Sequence, residues 1–185
     1  MPDIQFFAIC FYFLLPVYAA NVTPILAKRF NVLPGLALPI DCNASWKGKP
    51  VLGPHKTLRG FLLGTAAAMV VGFTQTILYP VPNFPTLGLV DYASINPLVL
   101  GFLLGFGSLL GDSLGSFIKR RAGKKPGETF PVLDQTGMTI VAIVAVIWAY
   151  PLPIAAIIAG VSITFVWHVI AARMAYVLNI REEKW

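Results

Sequence analysis

Charge is the commodity this chain has least of. Acidic and basic residues make up 12% of its 185 positions, against about 25% in an average soluble domain. Apolar residues make up 57% and the mean hydropathy is +0.75. That balance excludes a soluble globular domain and points to a polytopic α-helical membrane protein. Cysteine is nearly absent: Cys10 falls in an apolar run and Cys42 in a polar loop. With no CxxC spacing, neither a disulfide framework nor a thiolate metal site is expected. Histidine is as scarce. His168 sits in an apolar run and reads as a packing or hydrogen-bonding residue, which leaves His55 as a contact to phosphate or base. There is no phosphate-binding P-loop, no GxGxxG and no zinc spacing. No Ser lies in a pattern with His and Asp, so a covalent nucleophile is unsupported. The first residues, Met-Pro-Asp-Ile, lack the basic segment of a secretory signal, and the first apolar run is expected to be retained.

What is present is five apolar runs, at about 4–27, 58–79, 96–118, 136–150 and 154–178. They predict one integral-membrane domain over 1–185 with five transmembrane helices. Pro16 and Pro24 are expected to kink the first run. Asn21 in that run reads equally as an interhelical hydrogen bond or as a polar contact at the floor of a site. Gly60, Gly64, Ala68 and Gly72 recur every four residues, and Gly101 and Gly105 repeat the spacing, which predicts smooth faces for close helix packing. Residues 28–57 carry repeated Gly and Pro mixed with Ile40, Trp46 and Leu52, the composition of an ordered series of turns. A second polar loop is predicted at 119–135. All fourteen Lys and Arg fall in 28–59, 119–125 or 173–184. By the positive-inside rule both loops and the C-terminus face the cytoplasm and the N-terminus faces outside, a parity that five spans satisfy.

The acids fall on the same side as these cations. Asp112 lies about two helical turns inside the end of an apolar run, followed by Lys119, Arg120, Arg121, Lys124 and Lys125. A carboxylate at membrane depth is costly and marks a functional site by default, the alternative here being a salt bridge to Lys119 or Arg120. Gly53-Pro54-His55-Lys56-Thr57-Leu58-Arg59-Gly60 opens a helix and joins cations to free N–H groups, an anion site. Lys119, Arg120, Lys124 and Lys125 with Gly123 and Gly127 offer a second set. Two basic glycine-containing loops at one membrane face suit a polyphosphate. Lys28, Arg29, Arg181 and Lys184 are read as orientation or lipid contacts. Asp112 and Asp134 are the predicted Mg²⁺ ligands, since Mg²⁺ takes one or two carboxylates plus phosphate oxygens. Ser116, four residues after Asp112, shares its face.

These residues together resemble the CDP-archaeol synthase family, archaeal cytidylyltransferases that act on a membrane ether lipid. The resemblance rests on Asp41-Cys42-Asn43, Lys47-Gly48-Lys49-Pro50, Gly53 to Gly60, Gly111-Asp112 through Ser116 to Arg121, and Asp134-Gln135, and covers nearly the whole chain. The family is similar in plan to bacterial and eukaryotic CDP-diacylglycerol synthases, whose paired Asp residues bind divalent metal. The resemblance implies transfer of CMP from CTP to a polyprenyl glycerol phosphate (unsaturated archaetidic acid), releasing pyrophosphate, in a multi-pass cell-membrane protein. It implies Asp112, Lys56, Arg59, Lys119 and Arg120 as the catalytic set, with Lys49, His55, Thr57, Ser116 and Gly123 on CTP and Asp41 and Asn43 on the cytosine edge. The polyprenyl chains are expected along the Gly60/Gly64 or Gly101/Gly105 faces. No nucleic-acid partner is expected. The rival readings are a small transporter for an anionic solute and a phosphatidyltransferase that uses a CDP-lipid.

Overall fold

Two prolines shape the start of the bundle. In the computed structural model of the chain, which describes residues 4–177 apart from 83, 127, 129 and 131, the first apolar run forms α1 (Ile4–Phe13) and α2 (Leu15–Arg29), bent by 50° at their junction. Pro16 has no N–H to give the Tyr12 carbonyl; the amide of the buried Gln75 donates to it instead. Pro24 frees the Ala20 carbonyl in the same way. That oxygen faces Gly64 so closely that a Cβ there would lie 2.6 Å from it. The run thus bends next to Pro16 with the freed Tyr12 carbonyl satisfied by Gln75, as an apolar surrounding demands, while α2 continues through Pro24.

The remaining helices are α3 (Leu58–Leu78), α4 (Pro97–Arg121), α5 (Leu133–Ile147) and α6 (Ile154–Val177). Each of the five apolar runs is thus helical, and the fold is all-α apart from a two-residue-per-strand hairpin, β1 (Ser45–Trp46) with β2 (Lys49–Pro50). α3 and α4 are long and apolar enough to cross a membrane, and the bent α1–α2 pair is a third if counted as one span. α5 and the apolar stretch Ile154–Ile170 of α6 are shorter. Large apolar side chains such as Val70, Ile158 and Trp148 stand on the outer surface.

α4 is the central post. Its Gly101 and Gly105 meet the backbone of Met69 and the methyl of Ala68 on α3, while Gly107 and Gly111 meet Ala142, Gly137 and Met138 on α5. A Cβ at Gly101 would come within 2.6 Å of the Met69 Cα, and one at Gly111 within 2.6 Å of the Gly137 carbonyl. The glycine faces are therefore closed by helix backbones. Asn21 takes the bland option: it donates to Ser108 Oγ on α4 at 3.1 Å and to its own Val17 carbonyl. The largest buried cluster joins Phe13, Leu14 and Val17 to Leu100, Leu104 and Val146, with Tyr92 closing the far end.

The second polar loop is shorter than expected. α4 runs on through Lys119, Arg120 and Arg121, and α5 already begins at Leu133, which leaves 122–132 as the connection. Lys and Arg are good helix formers, and cations at a helix C-terminus complement its dipole. Gly123, at φ +82°, ends the helix: its N–H donates to the Arg120 carbonyl and that of Lys124 to the Lys119 carbonyl, the paired bonds of a Schellman cap. Asp3, Gly127, Arg181 and Lys184 lie outside the described residues.

Candidate active site

The loop 30–57 is ordered around one carboxylate. Asp41 Oδ1 accepts from the Asn43 N–H at 3.0 Å, and Oδ2 from Leu52 and Gly53 at 2.9 and 3.3 Å. Burial pushes the Asp41 carboxyl up, but these backbone donors outweigh it and hold the group below the usual carboxylate range. A bridge between Pro39 and Thr57 pins the loop to the start of α3, where Thr57 Oγ1 accepts from the Gly60 N–H as N-cap. Both Asp41 oxygens are thus committed to the loop. Asn43 stands exposed in a left-handed conformation at φ +58°.

Between Asp41 and Leu52 the chain makes the hairpin, turning at Lys47 and Gly48 with φ +52° and +73°, the signs a two-residue type I′ turn needs. Arg121 clamps it to the end of α4. Its guanidinium donates to the carbonyls of Trp46 (2.6 Å), Lys49 (3.2 Å) and Pro50, and lies over the rings of Trp46 and Phe117, themselves stacked 5.8 Å apart. Lys49 returns a bond to the Arg121 carbonyl and its Nζ lies beside Gly123. The clamp by Arg121 was not foreseen. An Arg within reach of Trp and Phe is a weak signal when 75 residues separate the partners.

The polar centre lies on the neighbouring face of α4. Lys56, delivered by the loop, is ion-paired with Asp112. The partner is therefore Lys56, where Lys119 or Arg120 was the expected alternative; Lys119 instead pairs with Asp134 Oδ1 at 2.7 Å. Asp134 sits in the first turn of α5, its other oxygen accepting from the Phe130 N–H at 2.9 Å, and the neighbouring Gln135 accepts from Val132. Since Gly111 is packed on Gly137, Asp112 and Asp134 lie one and three residues beyond that contact on facing helices, their levels about 3 Å apart along the axis. The Asp112 side chain is 38% exposed, so a ligand can reach it.

Arg120 is the anomaly of the site. It is 3% exposed, and its Nε and Nη1 have no hydrogen-bond partner among the described residues. A buried cation with stranded donors costs several kcal/mol unless an anion meets it. His55 lies in the same field: burial, together with Lys28, Lys56 and Arg120, holds its imidazole below the ordinary value of 6.5, so it is neutral at pH 7. Arg59, also buried, donates to the Val32 carbonyl at 3.0 Å and ties α3 to the loop. Ser116 donates to the Asp112 carbonyl at 3.0 Å.

Among the described residues, no three acids, His or Cys gather into a metal cluster. The two carboxylates nonetheless fit Mg²⁺, which takes one or two of them and completes its shell with water and phosphate oxygens. Each already holds an ammonium group, so both are placed to accept a cation. The assembly combines two hard anionic ligands with Lys56, Lys119, Arg120 and His55, the equipment for binding a polyphosphate and stabilising charge at phosphorus.

The chain matches the CarS-like family, described as CDP-archaeol synthase, over residues 3–185. The CDP-archaeol synthase of Halorubrum lacusprofundi is 34% identical over 184 residues, covering 96% of this chain and 97% of that protein. That of Pyrococcus horikoshii is 34% identical over 95% of both, and that of Pyrococcus furiosus 39% identical over 76% and 74%. A solved structure described as an intramembrane enzyme for archaeal membrane lipid biosynthesis superposes with a TM-score of 0.69 at 26% identity, covering 86% of this chain and 90% of that one. The chain is a helical membrane protein that belongs to the CDP-archaeol synthase family of cytidylyltransferases.

Proposed function

We propose that the protein transfers CMP from CTP to the phosphate of a polyprenyl glycerol phosphate, giving the CDP-lipid and pyrophosphate, at a site facing the cytoplasm. The observation that carries this reading is the buried Arg120 with two unpartnered donors, at the end of α4 among Lys56, Lys119 and His55. A lipid phosphate oxygen attacks the α-phosphorus of CTP, and the bond to the β-phosphate oxygen breaks as pyrophosphate leaves. A phosphomonoester is already anionic at neutral pH, so no base is needed, in keeping with a neutral His55. Lys56 and Lys119 exchange their carboxylates for phosphate oxygens when nucleotide enters, and Arg120 donates to the triphosphate through Nε and Nη1. Asp112 and Asp134 would hold Mg²⁺, which supplies charge neutralisation on the phosphate oxygens. Ser116 and Lys49 line the approach. Asp41, Arg59, Thr57 and Gly123 act through the loop and the helix ends as positioning residues, which leaves Asn43 as the candidate reader of the base.

Five spans with the N-terminus outside place all these groups on one side, because the segments between spans on the other side carry no Lys or Arg. The test is incorporation of labelled CTP into lipid by the purified protein with Mg²⁺ and a polyprenyl glycerol phosphate. Wild type gives labelled lipid, and Asp112→Asn, folded by its melting curve, loses about 10³-fold in turnover. An active Asp112→Asn protein would refute the assignment.

A further inference from the structure

Lys56 is tied to α4 by a bond that the proposed reaction breaks. Its pair with Asp112 is exchanged for phosphate oxygens when nucleotide enters, and the loop that delivers it then needs another hold on the helix. Among the described residues, every other hydrogen bond between 30–57 and α4 involves Arg121. Its guanidinium donates to the carbonyls of Trp46, Lys49 and Pro50, and its own carbonyl accepts from Lys49. Successive residues of a helix are turned by about 100°, so Arg120 stays buried in the bundle while Arg121 faces the hairpin.

The hold reaches Lys56 through a short run of bonded backbone. Pro50, gripped by Arg121, is followed by Val51, whose N–H donates to the Ala44 carbonyl at 2.9 Å. Leu52 and Gly53 come next, and their N–H groups donate to Asp41. The Gly53 carbonyl accepts from the Lys56 N–H at 3.3 Å, and the Lys56 carbonyl from the Ile40 N–H at 2.9 Å. We infer that Arg121 is a positioning residue for the transfer proposed above, on which the inference rests: its fork holds the loop on α4 and keeps Lys56 at the phosphates after Lys56 has left Asp112. The residue type matters. Meeting three carbonyls while lying over the rings of Trp46 and Phe117 takes a planar group with several donors, which an ammonium on a flexible stem does not match.

MgCTP binding by calorimetry tests this with two single variants and their combination. Lys56→Met weakens binding about 10–100-fold, as loss of a charged hydrogen bond does. Arg121→Lys weakens it about 10-fold at an unchanged melting temperature, and by about 2-fold or less when added to Lys56→Met. Phe117→Leu, which removes one ring beneath the guanidinium, gives a few-fold loss with the same dependence on Lys56. Unchanged affinity in Arg121→Lys, or the same loss with and without Lys56, would overturn the positioning role; a merely structural arginine gives the latter together with a lower melting temperature. A wild-type protein that binds no MgCTP, or Lys56→Met that binds it as wild type does, would refute the proposed function instead. The clasp is then judged by amide exchange: residues 50–57 exchange about 10-fold faster in Arg121→Lys while α3 and α4 keep their wild-type rates. Equal rates over 50–57 would overturn it.

Discussion

The bundle interior and the basic end of α4 treat polar groups in opposite ways. In the interior, Thr23, Thr76, Ser108, Ser113 and Thr164 return their hydroxyls to carbonyls of their own helix, and the Tyr12 carbonyl freed by Pro16 accepts from Gln75. The buried polar atoms that stay unpartnered there, such as the Tyr92, Thr65 and Thr139 hydroxyls, are neutral. At the basic end the unpartnered atoms among the described residues belong to Arg120 and, at Nε, to Arg121, both cations, and Asp112 and Asp134 are paired across elements, loop to helix and helix to helix. An uncompensated buried charge costs several times what a stranded hydroxyl does. The interior is finished as a structure; the basic end keeps buried cationic donors unmet.

The comparison breaks most visibly in the interior. Gly101→Leu would drive a side chain into the Met69 backbone, whose Cα would already be 2.6 Å from a Cβ. Overpacking of this kind costs about 1–3 kcal/mol where neighbours can shift and more against backbone, so loss of folded protein in detergent is expected, read by the melting curve and size-exclusion profile. Gln75→Leu is milder. It strands the Tyr12 carbonyl and lowers stability by about 1–3 kcal/mol, seen in the melting temperature, while KM for both substrates stays at the wild-type value. A change in KM with unchanged stability would erase the distinction between the two regions.

Much of the interior was legible because its signals are local. Four-residue spacing of Gly60, Gly64, Ala68 and Gly72 names a packing face, and prolines name a bend. The same glycines read as walls of a groove for lipid chains, but residues that let backbones touch leave no room between them. At the basic end, residue types were legible and partnerships were not. Asp41 has the composition of a ligand, yet its partners Leu52 and Gly53 are brought to it by a hairpin whose closure depends on Arg121. Gly123 read as part of a phosphate loop because the cations before it were assigned to the loop; once they are helical, its positive φ makes it the helix cap. Asp112 stands out in the sequence as a costly carboxylate with a salt bridge to Lys119 or Arg120 as its alternative, but its partner Lys56 lies 56 residues away and no spacing rule selects it over Lys119.

The smallest expected effect concerns His55, whose imidazole is held below its ordinary value by burial and then by Lys28, Lys56 and Arg120. It is neutral at pH 7, and an arriving triphosphate offsets those cations and favours its protonation. CTP binding therefore takes up a proton on the acid side of neutrality, and affinity rises a few-fold, relative to His55→Gln, as pH falls from 7.5 to 6. Parallel profiles for wild type and variant would remove His55 from the nucleotide's field.

The most direct measurement is MgCTP binding to Arg120→Ala by calorimetry, with the melting temperature recorded alongside. A charged hydrogen bond contributes about 1.5–3 kcal/mol, so affinity should fall about 10–100-fold while the melting temperature holds or rises, since a stranded buried charge has been removed. Unchanged affinity, with a fall in melting temperature, would contradict the account by making Arg120 one more structural residue of the bundle.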